Sequence, residues 1–395
     1  MAALLEGLRV VEISSFVAAP LGGMTLAQLG ADVVRVDPIG GAADIGRWPL
    51  APSGTSLMWT GMNKAKRSVT VDFRGPEGRE VVTRLAARAG IVLTNAVGRG
   101  WLSYEALSRV RPDLVHLQIE GHHDGTAAVD YTVNAEIGFP LITGPSEHGA
   151  PVNHVLPAWD MACGLYAATG ILAAERRRSR TGEGARIRLP LYDVALAMAG
   201  NLGLLAEAQL GAERPRIGNH LFGGLGRDFA LAGGGRVMVV ALTGRHFADL
   251  CEITGLTATV TELERLLGAD FDRDGDRYVH RETLAALLAP WFEARTLDQV
   301  TRELKGSSVL WAPYRRFSEI DLEAAPLMGE IDQPGVGRIY APASPLDTAP
   351  GGDGGTGTTG GREPVPAPRL GEHTDEVLAE LGLDAADLRA KGAVA

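Results

Sequence analysis

The chain has 395 residues, of which 45% are hydrophobic and 22% are charged, and its formal net charge at pH 7 is −10. This balance excludes an intrinsically disordered or collagen-like chain, and the acidic excess argues against a nucleic-acid scaffold, which needs a concentrated positive face. The length predicts two packed domains of ordinary size. We therefore expect a globular protein without a nucleic-acid partner.

The cysteine content points to a reducing compartment. Only Cys163 and Cys251 are present, which is too few for a disulfide framework or a four-cysteine zinc site. The N-terminus has no signal-like pattern, and the longest apolar helical stretch, 194–210, is interrupted by Asn201 and Glu207. This stretch falls short of the roughly 20 apolar residues that span a bilayer. A cytoplasmic protein with no membrane partner is predicted.

Hydrophobic periodicity predicts strands that alternate with helices through the first half of the chain. The predicted strands are 9–14, 31–36, 68–72, 91–94, 114–119, 185–189 and 236–241. The predicted helices are 24–29, 76–89, 104–111, 160–178, 192–210, 246–254, 262–267, 281–292, 297–305 and 374–381. This alternation predicts an α/β fold with a mostly parallel, doubly wound sheet, whose ligands bind beyond the carboxyl ends of the strands. The pattern changes after the helix 192–210, which marks a candidate second domain.

Several common catalytic motifs are missing from the sequence. It contains no GxGxxG after the first strand, no Walker A motif, no GxSxG and no HExxH, so the chemistries that depend on them have no support. The segment 270–276 resembles the start of an EF-hand loop, but Arg281 occupies the position of the essential glutamate, so we predict no metal site. His122 and His123 follow a predicted strand, and a structural role is the favoured interpretation for both.

Asp160 stands at the predicted start of a helix, where two interpretations are open. As the N-cap, its carboxylate would accept the free N–H groups of the first helical turn. As a nucleophile, the same carboxylate would be held ionised by those N–H groups and by the helix dipole, at the edge of a cleft. Position alone favours the cap.

Five stretches, in order along the chain, resemble the class III CoA-transferase family, which includes formyl-CoA transferase, carnitine CoA-transferases and α-methylacyl-CoA racemases. The stretches are GLRVVEISSFVAAPLGGMTLAQLGADVVRVDP at 7–38, MNKAKRSVTVDFRGPEGREVVTRL at 62–85, LPAWDMACGLYAATGILAAERRRSRTGEGARI at 156–187, PWFEARTLDQV at 290–300 and PAPRLGEHTDEVLAELGL at 366–383. The resemblance implies a Rossmann-like large domain over 1–210, a smaller inserted α/β domain over 211–330, and a C-terminal tail over 331–395 that returns to the large domain. It also implies an interlocked homodimer and an acyl-CoA substrate, with coenzyme A as part of that substrate and no prosthetic group.

The nucleophile of this family is an aspartate at the start of a D-x-x-x-G-x-x-x-x-x-G-I-L stretch, which corresponds to Asp160. In the family mechanism this carboxylate attacks the thioester to give a mixed anhydride and then an aspartyl-CoA thioester, from which a second carboxylate collects the CoA. The racemases of the family place a histidine directly before an aspartate in a G-H-D stretch, because racemisation needs an acid and a base. Here Val129 precedes Asp130, and His122 and His123 would need a loop shift to replace the missing histidine, so racemisation is disfavoured.

One branch of the family resembles the chain most. The stretches FVAAPLGGMTLAQLGADVVR, RGWLSY, VDYTVN, VNHVLPAWD, RDF and WAPYR are similar to the branch that moves CoA between the C1 and C4 carboxylates of mesaconate. The resemblance therefore implies an intramolecular CoA transferase that acts as an isomerase. The alternatives are an intermolecular transferase with a separate acid as acceptor and a non-enzymatic CoA-binding scaffold.

The resemblance also implies contacts to CoA. Val17 and Ala18, after the first strand, would offer backbone groups to it. The adenine and phosphate end would be lined by Val71, Asp72, Arg74, Asn95, Ala96 and Val97. The sequence departs from the family at Pro38, where arginine is frequent, and at 96–99, where AVGR replaces F-R-P-G. Arg35, Arg74 and Arg99 are therefore expected to supply the positive charge for the phosphates.

Overall fold

The computed structural model describes residues 3–96, 100–346 and 363–395. The strands in these ranges are β1 (Arg9–Ile13), β2 (Asp32–Pro38), β3 (Arg67–Val71), β4 (Ile91–Thr94), β5 (Val115–Glu120), β6 (Ala185–Pro190), β7 (Leu225–Ala230), β8 (Arg236–Ala241), β9 (Leu310–Pro313), β10 (Met328–Gln333) and β11 (Gly337–Pro342). Short 3-10 helices cover Gly100–Leu102 and Phe317–Glu319.

The helices within the same ranges vary from one turn to more than six. They are α1 (Ala18–Gln28), α2 (Leu57–Met62), α3 (Pro76–Ala89), α4 (Tyr104–Val110), α5 (Asp130–Glu136), α6 (Phe139–Ile142), α7 (Ala158–Thr181), α8 (Leu191–Asn201), α9 (Leu204–Gln209), α10 (Gly244–Thr254), α11 (Thr257–Leu267), α12 (Asp274–Val279), α13 (Arg281–Glu293), α14 (Leu297–Leu304), α15 (Thr374–Glu380) and α16 (Ala385–Ala390). None of these helices is both long and apolar enough to cross a lipid bilayer.

Six strands form one sheet in the order β3-β2-β1-β4-β5-β6, and every neighbouring pair in it is parallel. The inner strands are rich in valine, leucine and isoleucine, and every residue of β4 is buried, as expected for strands covered by helices on both faces. The chain first builds the sheet outward from β1 to β3 and then adds β4 on the other side of β1. This reversal opens a crevice at the carboxyl ends of β1 and β4. The predicted α/β fold with a parallel sheet is confirmed.

Several predicted helices have other bounds in the structure, and two of these differences have a clear local cause. Helix α1 begins at Ala18 instead of residue 24, because Pro20 lies in its first turn, where the missing N–H of proline breaks no helical hydrogen bond. The predicted helix 192–210 is divided into α8 and α9. Gly203, between them, has a φ of +80°, a left-handed conformation that ends a helix.

The chain folds into two compact units, each formed from separated parts of the sequence. The first comprises Met1–Ile137, His154–Ala206 and Asp321–Ala395, and the second comprises Gly138–Asn153 and Glu207–Ile320. These bounds differ from the predicted limits at residues 210 and 330. In particular, Gly138–Asn153 groups with the second unit, because the Arg216 guanidinium donates hydrogen bonds to backbone carbonyl oxygens in that segment, among them that of Leu141 at 2.7 Å.

The C-terminal tail packs against the edge strand of the first unit. Val394 forms an antiparallel bridge with Val71 at the end of β3. The N–H of Asp72 donates a hydrogen bond to the carbonyl oxygen of Ala393, with N and O 2.8 Å apart. The tail thus covers a strand edge that would otherwise expose unpaired backbone groups.

The second unit contains an antiparallel sheet in the order β7-β8-β9, packed against helices. Phe229 of β7 and Phe292 of α13 stack in its core, with ring centroids 4.5 Å apart. The N–H of Asp270 donates to the Asp276 carboxylate, so the acidic segment 270–276 closes on its own backbone as a turn that leads into α12. Among the residues that the structure describes, no group of three or more His, Cys, Asp or Glu side chains could hold a metal ion.

Candidate active site

Helix α7 begins at Ala158, directly after Pro157, so Asp160 is the third residue of the helix and not its N-cap. The side chain that caps the helix comes from elsewhere in the sequence. The buried Asp130 carboxylate accepts hydrogen bonds through Oδ2 from the N–H of Trp159 at 2.7 Å and the N–H of Asp160 at 3.1 Å. The expected cap at Asp160 is therefore wrong, because the helix begins two residues earlier, at Ala158, and the free N–H groups of its first turn are accepted by Asp130.

The first turn of α7 is fastened to α5 at more than one point. The second oxygen of Asp130, Oδ1, lies 3.2 Å from Nε2 of His154. The indole Nε1 of Trp159 donates to Oδ1 of Asn134, with the two atoms 3.1 Å apart. These contacts hold the start of α7 in one place, which matters because a displacement of about an ångström is enough to disable a catalytic group.

The Asp160 carboxylate is half-buried, and no hydrogen-bond donor reaches it among the residues that the structure describes. Burial raises the pKa of Asp160 to about 7, and the neighbouring negative charge of Asp130 adds to the rise. This corrects the expectation that N–H groups hold the carboxylate ionised. Near neutral pH the protonated and ionised forms are comparably populated, and the ionised form is poorly solvated. A carboxylate in this condition is a better nucleophile than one paired with donors.

Cys163 is the other nucleophilic side chain in the same part of α7. It is fully buried, and burial, with a smaller contribution from Asp160, raises its pKa to about 12. The side chain is therefore a neutral thiol at physiological pH, and a thiol is a weak nucleophile. The carboxylate of Asp160 is the more suitable group for attack on an acyl carbon.

Helices α1 and α7 cross at glycines, and this crossing determines where Asp160 lies. A Cβ atom at Gly164 would be only 2.7 Å from the carbonyl oxygen of Ala18, and a Cβ at Gly22 would be 3.0 Å from the carbonyl oxygen of Gly164 and 3.3 Å from Cβ of Ala167. Because the contacts advance together along both helices, α1 and α7 run in roughly the same direction. Asp160, one turn before Gly164, is therefore level with the turn that precedes Ala18, at the carboxyl end of β1.

The β1–α1 turn, residues 14–17, is held by side chains from other elements. The Asn95 side chain accepts a hydrogen bond from the N–H of Ser15 at 3.0 Å and donates one to its carbonyl oxygen at 2.8 Å. Asp44 accepts from the N–H of Phe16 at 2.9 Å, and Phe16 has a φ of +65°, which is unusual for a residue other than glycine. The turn thus has a fixed shape, and the first N–H groups of α1, which no helical carbonyl can pair, lie at its end.

Four of the expected CoA contacts lie together in this region. Val17 and Ala18 start α1, and Asn95 and Ala96 follow β4, so all four are at the crevice between β1 and β4. Asn95 contacts the β1–α1 turn directly.

Arg35 has a different role from the expected phosphate ligand. It is 1% exposed, and its guanidinium donates to both oxygens of Asp37, to Asp44 and to the carbonyl oxygen of Ser14. The remaining nitrogen, Nη1, donates to Oδ1 of Asn63 at 3.0 Å, so no nitrogen of the group is available to a phosphate at the surface. Arg35 instead stabilises the β1–α1 turn through Asp44 and Ser14.

The other residues expected to contact CoA either lie at the end of β3 or fall outside the residues that the structure describes. Val71 is fully buried, and the Asp72 carboxylate accepts from the N–H groups of Arg74 and Gly75. Only Arg74 in this group has an exposed side chain. Neighbouring strands lie about 4.8 Å apart, so β3 is roughly 10 Å from β1 across the sheet. Val97 and Arg99 lie outside the described residues.

His122 does not take the place of the histidine that the racemases carry. Its Nε2 lies 3.6 Å from Glu136 at the C-terminus of α5, and its ring lies against Tyr192. Asp130, which contacts Asp160, is the first residue of α5. At 1.5 Å per residue, the two ends of α5 are roughly 9 Å apart. His122 therefore lies away from Asp160 and does not supply the second proton-carrying group that racemisation requires.

Comparison with known proteins agrees with the geometry. The model of the family described as CoA-transferase family III matches residues 5–374. The chain belongs to CoA-transferase family III. It is 50% identical to 2-methylfumaryl-CoA isomerase of Chloroflexus aurantiacus, over 98% of this chain and 96% of that protein. It is 30% identical to succinyl-CoA:mesaconate CoA-transferase of Haloarcula marismortui, over 96% of this chain and 97% of that protein.

A solved structure is also similar over nearly the whole chain. The crystal structure of a CAIB/BAIF family protein from Brucella suis matches with a TM-score of 0.77 and 26% identity, covering 96% of this chain and 100% of that one. The family assigned from the sequence is therefore confirmed, together with its fold.

Proposed function

We propose that the protein is a CoA transferase that moves CoA between the two carboxylates of mesaconate, so that its net reaction is an isomerisation, with Asp160 as the nucleophile. The observation that carries the proposal is the half-buried, donor-free carboxylate of Asp160 at the carboxyl end of β1. The 50% identity to 2-methylfumaryl-CoA isomerase supports the choice of substrate.

The proposed mechanism needs only carboxylates and the thiolate of CoA. Asp160 attacks the C1 thioester carbonyl, and the C–S bond breaks to give a mixed anhydride and CoA thiolate. The thiolate attacks the aspartyl carbonyl, which releases mesaconate and forms an aspartyl-CoA thioester. The C4 carboxylate then attacks that thioester, and the thiolate released from it attacks the new anhydride at C4. Asp160 leaves as a carboxylate, and no water or oxidant is consumed.

Residues of the β1–β4 crevice are proposed to bind the thioester end of the substrate. Val17 and Ala18 offer backbone groups at the start of α1, and Asn95 and Ala96 flank the same crevice. Donors in such a place stabilise the negative charge that develops on the carbonyl oxygen during attack. Arg74, exposed at the end of β3, is proposed to contact the phosphates.

The decisive experiment incubates the enzyme with mesaconyl-C1-CoA alone and follows the C4 isomer by chromatography. We expect conversion without any added acid, and hydroxylamine added during turnover should leave a hydroxamate on Asp160. Failure to form the C4 isomer would overturn the isomerase proposal.

The second candidate function is intermolecular transfer of CoA to a separate acid, which the 30% identity to succinyl-CoA:mesaconate CoA-transferase favours. Labelled free mesaconate, added during turnover, distinguishes the two functions. We expect little label in the product, whereas incorporation at the rate of turnover would establish intermolecular transfer.

A homodimer is proposed as the working assembly. Large apolar side chains are exposed on neighbouring helices of the first unit, namely Leu165 and Tyr166 on α7 and Leu196 on α8, with Leu202 just after it. A second copy of the chain would bury this surface, as the family resemblance implies.

The dimer predicts a specific response to substitution. Light scattering should give twice the chain mass of 41.6 kDa, and Leu165→Asp should weaken the assembly because it would bury a charge in the interface. Leu266→Asp is the matched control, since Leu266 is 65% exposed on α11 of the second unit. A monomer at micromolar concentration, or equal effects of both substitutions, would contradict the assignment.

The cytoplasm is proposed as the location. Cys163 and Cys251 are both buried free thiols, and free thiols persist in reducing compartments.

A further inference from the structure

The Asp130 carboxylate contacts both the backbone at the start of α7 and the side chain of His154. Its Oδ2 accepts the N–H groups of Trp159 and Asp160, and its Oδ1 lies 3.2 Å from Nε2 of His154. Asp130 is 2% exposed, whereas the side chain of His154 is 27% exposed. A buried carboxylate thus has one oxygen on the backbone of the nucleophile and the other on a histidine that solvent can reach.

We propose that Asp130 and His154 are positioning residues that set the pH at which Asp160 becomes a competent nucleophile. The inference rests on the proposed role of Asp160 and deepens it. Neither residue is assigned contact with the substrate. Both act through Asp160, because Asp130 holds its backbone and places a negative charge beside it, and His154 offsets that charge.

The contact between Asp130 and His154 requires a proton on the histidine nitrogen. A carboxylate oxygen can only accept a hydrogen bond, so Nε2 of His154 must carry the proton between them. The His154 ring also lies among aromatic rings, with centroids 6.0 Å from that of Trp159 and 6.5 Å from that of Tyr131. These rings restrict the orientation of the imidazole, so that Nε2 stays directed toward Asp130.

The other elements packed against α7 contribute little charge at Asp160. Helix α1 has no ionisable side chain along its length, Ala18–Gln28. Charged residues of the strands and helix beside α7 are engaged in other pairs or exposed, namely Arg186 with Glu105, Arg188 with Glu120, and Asp193. His116 is buried in β5, where burial lowers its pKa to about 4, so it is neutral. Cys163 is a neutral thiol. Asp130 is therefore the charge that acts most directly on Asp160.

Substitution of Asp130 and substitution of His154 should shift the pKa of Asp160 in opposite directions. The charge of Asp130 raises the pKa of Asp160, so removal of that charge should lower it. The N–H of His154 partly offsets the charge of Asp130, so its removal should raise the pKa of Asp160. A purely structural role would instead lower activity at every pH without moving the profile.

The test is the pH dependence of kcat/KM, which reports groups of the free enzyme. Wild-type activity should fall as the pH decreases through about 7, because Asp160 then becomes protonated. Asp130→Asn keeps a carbonyl oxygen for the N–H groups of α7 but removes the charge. We expect its acid limb to move down by about one pH unit, which corresponds to a gain of about tenfold relative to its own plateau at low pH.

The second variant, His154→Phe, removes the N–H donor to Asp130 but keeps an aromatic ring, and it should move the acid limb upward. Because His154 is partly exposed, this variant keeps the test decisive even if Asp130→Asn fails to fold. His123→Phe is the matched control, since His123 is exposed and, among the described residues, forms a hydrogen bond only through its backbone carbonyl, which accepts from Arg188. Its profile should match that of the wild type.

The inference would be overturned if both variants fold and their pH profiles of kcat/KM keep the acid limb of the wild type. It would also be overturned if the acid limbs of both variants moved in the same direction. Hydroxamate formation at Asp160 separates this failure from failure of the proposed function. If trapping at Asp160 persists while the limb stays in place, only the roles of Asp130 and His154 are wrong. If no acyl-CoA-dependent trapping occurs at Asp160 in the wild type, the nucleophile itself is wrong.

Discussion

Replacement of Asp160 by asparagine is expected to reduce turnover by at least about a thousandfold, because the amide cannot form the anhydride that splits the reaction into two easier steps. The fold should persist, since Asp130 and not Asp160 caps α7. We expect the free energy of unfolding to stay within about 1 kcal/mol of the wild type or to rise, because the substitution removes a carboxylate that Asp130 repels. Steady-state kinetics and urea denaturation measure the two effects.

Asp193→Asn is the matched control for that substitution. Asp193 also lies in the first turn of a helix, α8, but its side chain is exposed. It should retain wild-type activity, because no step of the proposed mechanism uses it. Substantial turnover by Asp160→Asn, after the purified sample has been checked by mass spectrometry for deamidation back to aspartate, would remove Asp160 from the covalent step.

The parallel sheet could be predicted from the sequence because its signal is local. Buried strands such as Ile91–Thr94 are short apolar runs, and the helix Pro76–Ala89 that precedes it has a proline at its start and a glycine after its end. Both elements have the predicted bounds. By contrast, the strands β10 and β11 were not predicted, since they alternate polar and apolar residues only weakly.

The position of Asp160 could be predicted, but its electrostatic surroundings could not. The local sequence places an aspartate near the start of a helix, where N–H groups are free, and this favours a cap and an ionised carboxylate. In the structure the helix begins at Ala158 and its cap is Asp130, 30 residues earlier in the chain. Burial and the charge of Asp130 raise the pKa of Asp160 instead of lowering it. Hydrogen bonds between distant parts of a chain leave no periodic trace in one sequence.

Arg35 illustrates the same limit. An arginine near the end of a strand in a CoA-binding fold is a reasonable phosphate ligand when only its charge is known. Its burial depends on Asp37 and Asp44, and the contact with Asp44 arises from a loop whose path the sequence does not define. The buried ion pairs fix the β1–α1 turn, so Arg35 still contributes to the site, but through the shape of the turn.

Substitution at the crossing of α1 and α7 should lower both stability and kcat/KM, and Gly164→Ala tests this expectation. The added Cβ would lie 2.7 Å from the carbonyl oxygen of Ala18 and 2.9 Å from Cβ of Leu21, so the helices must separate. Overpacking of this kind costs about 1–3 kcal/mol of stability. A displacement of Asp160 by about an ångström should lower kcat/KM by about a hundredfold.

Gly170→Ala on the same helix provides the comparison that isolates the crossing. There the nearest atom to an added Cβ is Cδ1 of Leu117 at 3.2 Å, a side-chain methyl group that would have to move by only a few tenths of an ångström, whereas a Cβ at Gly164 meets backbone. Because alanine favours helix by up to about 1 kcal/mol over glycine, this variant should be as stable as the wild type or more so. It should also keep its activity. Equal losses of kcat/KM in both variants would mean that α7 tolerates no added side chain at either glycine. A loss confined to Gly164→Ala would tie activity to the contact that places Asp160 beside the β1–α1 turn.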